Sequence, residues 1–278
     1  MKKQSFKFQK MQGTGNDFVV IDNRSKQFSE EEITQLAPTL CHRNFGIGAD
    51  GILLLEHPSD PETDYAMVYR NPDGSHAGMC GNGARCMALF AFSKGFKKKQ
   101  QFSVHDRLYE ADVLSQNRVS VQLPVLAEVE VIDDLEPDPV YEVYTGTEHL
   151  VIPVEEESLE DENSLRSRGS ELRHHPRFEE TNGTNVNFIK GLGEQRLTLK
   201  TYERGVEDLT LSCGTGAVAS ALAWHHIGQK REEQNEVEIS VPGGELSVIF
   251  HYNGSNKRYE NIQLTGPAYF VFEGIYHL

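Results

Sequence analysis

The chain is short of positive charge. Its 278 residues carry 27 Lys and Arg against 42 Asp and Glu, a formal net charge of −15. Sequence-independent binding to nucleic acid relies on Lys and Arg neutralising phosphates, so this balance argues against it, and against anionic membrane surfaces as well. The one basic cluster, Lys97-Lys98-Lys99, is short and reads as a solvated turn. Long hydrophobic runs are missing too. No stretch approaches the roughly eighteen apolar residues that a membrane span needs, and the basic stretch Met1 to Phe8 lacks the apolar run of a secretory signal. Cysteine is scarce. Cys41, Cys80, Cys86 and Cys213 are too few and too scattered for a disulfide scaffold, and no Cys-x-x-Cys pair or His/Cys cluster suggests a metal site. What remains is a cytoplasmic globular protein with reduced thiols and no metal, no nucleic-acid partner and no membrane partner. It is long enough for two domains with a core each.

Two of those four cysteines sit in nearly the same words. Cys80-Gly81-Asn82-Gly83-Ala84 and Cys213-Gly214-Thr215-Gly216-Ala217 each open a Gly-x-Gly turn into an Ala-rich segment, and Tyr69 and Tyr202 each precede their cysteine by eleven residues. A second echo pairs Thr14-Gly15-Asn16-Asp17-Phe18-Val19 with Thr184-Asn185-Val186-Asn187-Phe188-Ile189. Both echoes occur in the same order, so the halves read as a diverged duplication.

Short runs rich in Val, Ile, Leu, Phe and Tyr, bounded by Gly, Pro, Asn or Asp, predict strands. They cover Phe18 to Asp22, Gly51 to Leu55, Tyr65 to Tyr69, Val119 to Leu123, Asn185 to Ile189, Leu197 to Tyr202, Val237 to Val241 and Leu246 to Phe250. A Ser cap followed by acidic residues predicts a helix over Ser29 to Thr39. The segments Gly83 to Lys94 and Gly216 to Ile227 are apolar nearly all round, which suits helices enclosed by strands. The fold class is therefore α+β, with one central helix in each half. The polar interval Glu155 to Arg173 reads as an exposed excursion plus a surface helix, because Leu159, Leu165 and Leu172 punctuate it. Pro124 to Pro139 is the better candidate for a domain crossing.

A helix N-terminus offers unpaired N–H groups and the positive end of the macrodipole, and glycines let a ligand approach that backbone closely. Each Cys-Gly-x-Gly turn is thus a seat for a carboxylate, in a field that lowers the pKa of an adjoining thiol. Two such turns on either side of one carbon would let a thiolate remove a proton from one face while a thiol delivers another to the opposite face. Glycine amides on the carboxylate would stabilise the charge that develops. This chemistry inverts a stereocentre with no cofactor; pyridoxal phosphate is not required.

Other readings compete. A free cysteine is commonly a small buried residue, and Cys41 and Cys86 are read so. Gly46-Ile47-Gly48-Ala49-Asp50-Gly51 has the letters of a dinucleotide fingerprint but runs into Ile52-Leu53-Leu54-Leu55, a strand where that motif needs a helix. Gly214-x-Gly216-x-x-Ala219 fits the fingerprint better, and nucleotide binding there is the runner-up. A redox pair is weaker, since such cysteines usually share one turn.

Taken together, the motifs resemble those of the diaminopimelate epimerase family. They are Gln12-Gly13-Thr14-Gly15-Asn16-Asp17-Phe18, Gly46 to Gly51, Asn71-Pro72-Asp73-Gly74-Ser75, Met79 to Cys86, Tyr202-Glu203-Arg204-Gly205 and Ser212 to Gly216, in the family's order over nearly the whole chain. The resemblance implies a cofactor-independent isomerase that interconverts L,L- and meso-diaminopimelate, a step feeding lysine and peptidoglycan precursors, and a homodimer. It implies two pseudo-symmetric domains, each a mixed or antiparallel β-structure wrapped around a central helix: residues 1–122 plus 264–278, and residues 123–263, with the active site in the cleft between. A strand of about Leu264 to Phe272 would return to the first domain. Carried over, Cys80 and Cys213 are the acid–base thiols. Gly81, Asn82, Gly214 and Thr215 hold the reacting carboxylate, while Asn16, Asn71, Asn185, Glu203 and Arg204 grip the distal amino-acid end.

One departure stands out. Where the family commonly has Gly-Asn-Pro-His, this chain has Gly146-Thr147-Glu148-His149. His149 is kept as a candidate for tuning a thiol, Thr147 replaces an Asn contact, and Glu148 adds a charge in place of a rigid proline. Proline and hydroxyproline racemases also pair two cysteines, but typically carry His after the first Cys-Gly, where this chain has Asn82. Their substrates also lack a second amino-acid end for Glu203 and Arg204. The phenazine-biosynthesis-like relatives lack the thiol pair.

Overall fold

The computed structural model describes residues 5–228 and 234–278. Met1 to Gln4, half of the basic N-terminal stretch, lie outside the described residues. The chain divides into two compact units, Met1–Gln122 with Gly266–Leu278, and Leu123–Thr265.

The first unit runs β1 (Ser5–Gly13), β2 (Asn16–Asp22), α1 (Glu30–Cys41), β3 (Gly51–Glu56), β4 (Tyr65–Arg70), α2 (Gly81–Ser93), β5 (Lys99–Val104), β6 (Arg107–Val113) and β7 (Arg118–Leu123). Strand β2 pairs antiparallel with β1 and parallel with β3, with Phe18 opposite Gly51. Strand β3 pairs antiparallel with β4, and β4 parallel with β5. Successive side chains of a strand point to opposite faces, and here both faces are covered. Phe18, Val20, Leu53 and Leu55 pack with α2, while Val19, Ile21, Ile52 and Leu54 pack with Ile33, Ala37 and Leu40 of α1. That explains the unbroken apolar run Ile52–Leu55, which reads as a strand buried on both sides. Helix α1 begins where the Ser cap predicts: Ser29 Oγ accepts from Glu32 N and the Glu32 side chain returns to Ser29 N, a complete capping box.

The second unit repeats this order. It contains β8 (Val129–Ile132), β9 (Val140–Tyr144), β10 (Glu148–Pro153), α3 (Glu156–Glu160), α4 (Glu162–Arg173), a 3-10 turn over Pro176–Thr181, and β11 (Asn185–Gly193). Then come β12 (Arg196–Glu203), β13 (Asp208–Thr210), α5 (Gly214–Ile227), β14 (Gln234–Val241), β15 (Gly244–Asn253) and β16 (Arg258–Pro267). Strand β10 pairs parallel with β11, with His149 opposite Asn185; β11 pairs antiparallel with β12, and β12 parallel with β14. The acidic interval is the crossover between β10 and β11, the counterpart of α1. Its Leu159, Leu165 and Leu172 are buried against Leu150, Ile152, Val186 and Phe188. Its charges stay outside, as in the pairs Glu162–Lys200 at 3.0 Å and Glu136–Arg168 at 2.9 Å. The final strand, β17 (Tyr269–His277), pairs antiparallel with β1 in the first unit. The single strand expected over Leu264 to Phe272 is therefore two, the end of β16 and the start of β17, divided at the buried Ala268.

The topology also corrects the alignment of the duplication. The order parallel pair, antiparallel strand, central helix makes β2, β3, β4 and α2 the counterparts of β10, β11, β12 and α5. Thr184–Ile189 lies on β11, so its counterpart is β3, not the Thr14–Val19 segment on β2. Asn16, two residues before Phe18, corresponds to Thr147, two residues before His149. The local echo misled because Asn opens the first strand of the parallel pair, β2, in one unit and the second, β11, in the other.

Gly169 lets α4 lie close on β12, since a Cβ there would come 2.7 Å from Tyr202 Cβ and 2.8 Å from its Cγ. Gly169→Ala gains about 1 kcal/mol of helix propensity but overpacks a rigid contact at a cost of about 1–3 kcal/mol. The variant is expected to unfold at lower urea than the wild-type chain; an equal or higher midpoint would show that the helix shifts freely.

Candidate functional site

Both Cys-Gly-x-Gly turns are helix starts. Cys80 is the N-cap of α2 with φ −119° and ψ 117°, and Cys213 is the N-cap of α5 with φ −112° and ψ 113°. The extended backbone of an N-cap turns the first amides of the helix outward beside the capping side chain. At Cys80 the sulfur takes the place of the usual capping oxygen, accepting from Gly83 N at 3.5 Å. At Cys213, Sγ lies 3.6 Å from Thr215 Oγ1. Both helices are buried along most of their length. Cys41 and Cys86 differ. Burial pushes their thiols up, to about 11 and about 12, and removes them from acid–base work near neutral pH.

In the first unit Asn16 opens β2 and reaches Cys80. Asn16 Oδ1 lies 3.6 Å from Cys80 Sγ, and Asn16 Nδ2 donates to Asp50 Oδ2 at 2.6 Å. Asp50 is held by Arg43 at 2.6 Å, and Arg43 and the buried Lys10 hold Asp17 at 2.9 and 2.6 Å. Burial alone would raise the Asp17 carboxyl, but the Arg43 and Lys10 hydrogen bonds outweigh it and keep it below the usual carboxylate range. The Gly46–Gly51 stretch is thus the loop that delivers Asp50 and leads into β3. Asn82 is buried on the first turn of α2 and accepts from Thr14 Oγ1 at 3.1 Å and Arg85 Nη2 at 2.8 Å. Asn71 sits in the turn after β4, donating to Ser75 Oγ at 3.0 Å.

Arg85 was not singled out from the sequence. Its guanidinium is fully buried and donates to Pro267 O, Gly81 O, Thr14 Oγ1 and Asn82 Oδ1 at 2.8–3.2 Å, all uncharged oxygens. Burial lowers it to about 10, still protonated at neutral pH. A lone Arg in an apolar helical stretch was the available signal.

In the second unit strand alternation puts His149 and Asn187 on the face opposite the Leu150 and Phe188 core. Asn187 Nδ2 donates to Leu150 O at 3.0 Å and lies 3.1 Å from His149 Nδ1, while Thr201 Oγ1 donates to Asn187 Oδ1 at 2.9 Å. The carbonyl contact fixes the amide, so Nδ1 accepts and the His149 proton sits on Nε2, a buried atom without a hydrogen-bond partner among the described residues. Burial pushes His149 down to about 3, so it is neutral. A Cβ on Gly216 would fall 2.4 Å from Asn187 Oδ1 and 3.3 Å from Cys213 Sγ. That glycine therefore lets the strand amide and the thiol close on the first turn of α5, a reason for it that no phosphate is needed to supply. Strand β13, just ahead of this turn, pairs antiparallel with β12, which is not the parallel unit of a dinucleotide fold. Thr145 Oγ1 steadies the same turn, donating to Thr215 O at 3.1 Å.

Glu203 ends β12, and Arg204 follows it in the turn. Asn185 begins β11, accepts from Arg204 N at 3.0 Å and donates to Glu148 O at 2.9 Å. The Arg204 side chain contacts Glu148 and Thr147. Thr147, Glu148, Asn185 and Arg204 thus form one polar cluster in the second unit, and Glu203 immediately precedes Arg204 in the chain.

The diaminopimelate epimerase family model matches residues 8–109 and 141–271. A diaminopimelate epimerase of Flavobacterium psychrophilum is 41% identical over 268 residues, covering 96% of this chain and 98% of its own. The chain belongs to the diaminopimelate epimerase family. A second member, from Aquifex aeolicus, is 36% identical over 282 residues, covering 96% of each chain. Among solved structures, a PhzF-family phenazine biosynthesis protein of Bacillus anthracis superposes with TM-score 0.77 at 12% identity, covering 99% of this chain and all of that one. A hydroxyproline epimerase of Agrobacterium vitis gives 0.70 at 15%, covering all of this chain and 93% of that one. At such identities these two show a shared fold. The Thr147 and Glu148 side chains, where the sequence departs from the expected Asn-Pro, lie on Arg204.

The neutral His149 has a consequence for stability. Its folded pKa lies below the unfolded value near 6.5, so the unfolded chain takes up the extra proton as pH falls. The stability contributed by neutral His149 is present above pH 6.5 and is lost progressively toward about pH 3. His149→Gln is expected to show a shallower fall in urea midpoint between pH 7 and pH 4 than the wild-type chain; identical slopes would contradict the assignment.

Proposed function

We propose that this chain epimerises diaminopimelate by a two-thiol mechanism without a cofactor. The observation that carries this reading is the repeated N-cap geometry of Cys80 and Cys213, two cysteines in matching backbone conformations at the heads of two buried helices. The mechanism requires the thiols to bracket the α-carbon of one ligand. One, as thiolate, removes the α-proton; the other, as thiol, protonates the opposite face. After one turnover their protonation states have exchanged, and the same pair serves the reverse direction.

The reacting carboxylate is assigned to the first-turn amides at Gly81, Asn82, Gly214 and Thr215, where helix-end N–H groups strengthen as charge spreads from the carbanion onto the carboxylate. Asn16 fits a role at Cys80, because its Asp50 bond fixes the amide with the oxygen toward the thiol. The buried Arg85 cation and a Cys80 thiolate stabilise each other. Neutral His149 and Asn187 sit under the Cys213 turn and favour neither a second cation nor a second anion there. Asn71, Asn185, Glu203 and Arg204 are assigned to the distal amino-acid end, where Arg can bind carboxylate in bidentate fashion and Glu can pair with ammonium. The chemistry needs unoxidised thiols, which places the enzyme in a reducing compartment such as the cytoplasm.

A homodimer belongs to the same reading. Strand β17 exposes Tyr269, Phe270, Val271, Phe272 and Ile275, an apolar stripe that a second copy would cover. Phe272→Lys with Ile275→Lys is expected to halve the mass in solution; an unchanged mass would place any assembly elsewhere.

The direct test of the function is proton NMR of L,L-diaminopimelate with the reduced protein in D₂O and no added cofactor. The α-proton signal should disappear as the meso isomer accumulates, and Cys80→Ala and Cys213→Ala should each lose inversion by at least about a thousandfold while staying folded. A folded, reduced protein that exchanges no proton would sink the function. Substantial inversion by either variant would sink the two-thiol assignment alone.

A further inference from the structure

Arg204 is the cation assigned to the ligand's distal carboxylate, and in this chain it already holds one. Glu148 Oε2 lies 2.8 Å from Arg204 Nη1, and Thr147 Oγ1 accepts from Nη2 at 2.5 Å. The carbonyls of Thr181 and Gly183 accept from Nη1 at 2.8 and 2.9 Å. The contact is built into the backbone, because Asn185 bridges the Glu148 carbonyl to the Arg204 amide and so ties the two residues together. Both side chains are largely covered, 25% exposed for Arg204 and 21% for Glu148. The pair is therefore not a loose surface ion pair formed by two swinging chains.

We infer that Glu148 is a specificity-determining residue, an internal carboxylate that neutralises Arg204 before a ligand arrives and relaxes the demand for a distal carboxylate. This rests on the proposed role of Arg204 above. An unaccompanied arginine in a covered subsite rejects a ligand without the matching carboxylate, because that ligand leaves the guanidinium unpaired and out of water. With Glu148 in place the guanidinium is never unpaired, and that penalty disappears. A ligand that does carry a distal carboxylate must share Arg204 with Glu148 or push it aside, and meets a like charge while doing so. Both effects act in the same direction. They narrow the preference for a ligand with an amino acid at each end over one ending in an ammonium alone. Such ligands keep the pairing of their ammonium with Glu203 assigned above.

The alternative is that Glu148 only pins the start of β10, and the experiment separates the two. KM for L,L-diaminopimelate and the competitive inhibition constant of L-lysine, the same skeleton without the distal carboxylate, are measured for the wild-type chain, Glu148→Gln and Glu148→Ala, with urea midpoints alongside. The Asn185 bond to the backbone at 148 survives both substitutions. KM is expected to fall about fivefold, the worth of one partly covered charge contact, while lysine binds more weakly, so that the ratio of the two constants widens beyond fivefold. Unchanged constants with lowered urea midpoints would make Glu148 structural and overturn the inference, as would a rise in KM. Absence of turnover by the wild-type chain is a different outcome, which overturns the proposed function and this inference with it.

Discussion

Everything in each unit follows from enclosing a helix that is buried on nearly every side. Neither α2 nor α5 has a polar face to turn to water, so strands must surround each. Enclosure satisfies the side chains but not the first amides of the helix, which have no partner within it. The polar chemistry of the unit is thereby concentrated at the helix N-terminus. A cysteine placed there, with glycines behind it, sits in the positive end of the dipole and beside donors that a carboxylate can reach. Cys86, six residues along the same helix from Cys80, shows the contrast: identical side-chain chemistry, enclosed with the core and pushed far from reactivity.

The parallel strand pair beside each helix supplies the rest. Because residues alternate between faces, one strand can serve two layers at once. On β11, Val186 and Phe188 build the core under α4 while Asn187 faces the other way, into hydrogen bonds with His149 and Thr201. On β2, Phe18 and Val20 pack on α2 and Val19 and Ile21 on the α1 side. A polar residue at the start of such a strand, as at Asn16 or Asn185, lies at the same end as the helix N-terminus because the chain must return there to begin the helix. The candidates Asn16 and Asn185 are thus carried by firmly packed strands, which holds them in place without long loops.

The second unit departs from this economy at one point. The crossover from β10 to β11 is long and acidic, and the strand that opens it begins with Glu148, whose carboxylate turns back onto Arg204. The first unit uses the equivalent region differently, with Asp17 and Asp50 drawn together by Arg43 and Lys10. In both units an acidic residue beside the first polar position of the strand is neutralised by a basic one. Only in the second does that basic residue belong to the proposed ligand-binding set.

The sequence by itself determined eight strands, β2, β3, β4, β7, β11, β12, β14 and β15, with the helices α1, α2 and α5, and it put Cys80 and Cys213 forward as the candidate thiol pair. Ser29 and its Glu32 partner, the alternation and apolar runs of β2, β3, β11 and β12, and the Cys-Gly-x-Gly turns all depend on near neighbours in the chain, and local spacing records them. It also put Glu203 and Arg204 forward as candidate ligand-binding residues through their motif. It did not show where the polar short strands lie, since β5, β6, β8 and β13 owe their pairing to partners distant in sequence. It misaligned the duplication, because the echo between Thr14 and Thr184 is local whereas the equivalence of β3 and β11 is set by strand pairing. It hinted at the buried Arg85 cation only through a lone Arg in an apolar stretch, and it did not show that Asn187 fixes the tautomer of His149 or that Glu148 lies on Arg204. Those facts join residues up to 182 positions apart, as in the bond from Arg85 to Pro267. Burial and charge pairing are properties of what the fold packs against a residue, and only the tertiary structure decides that.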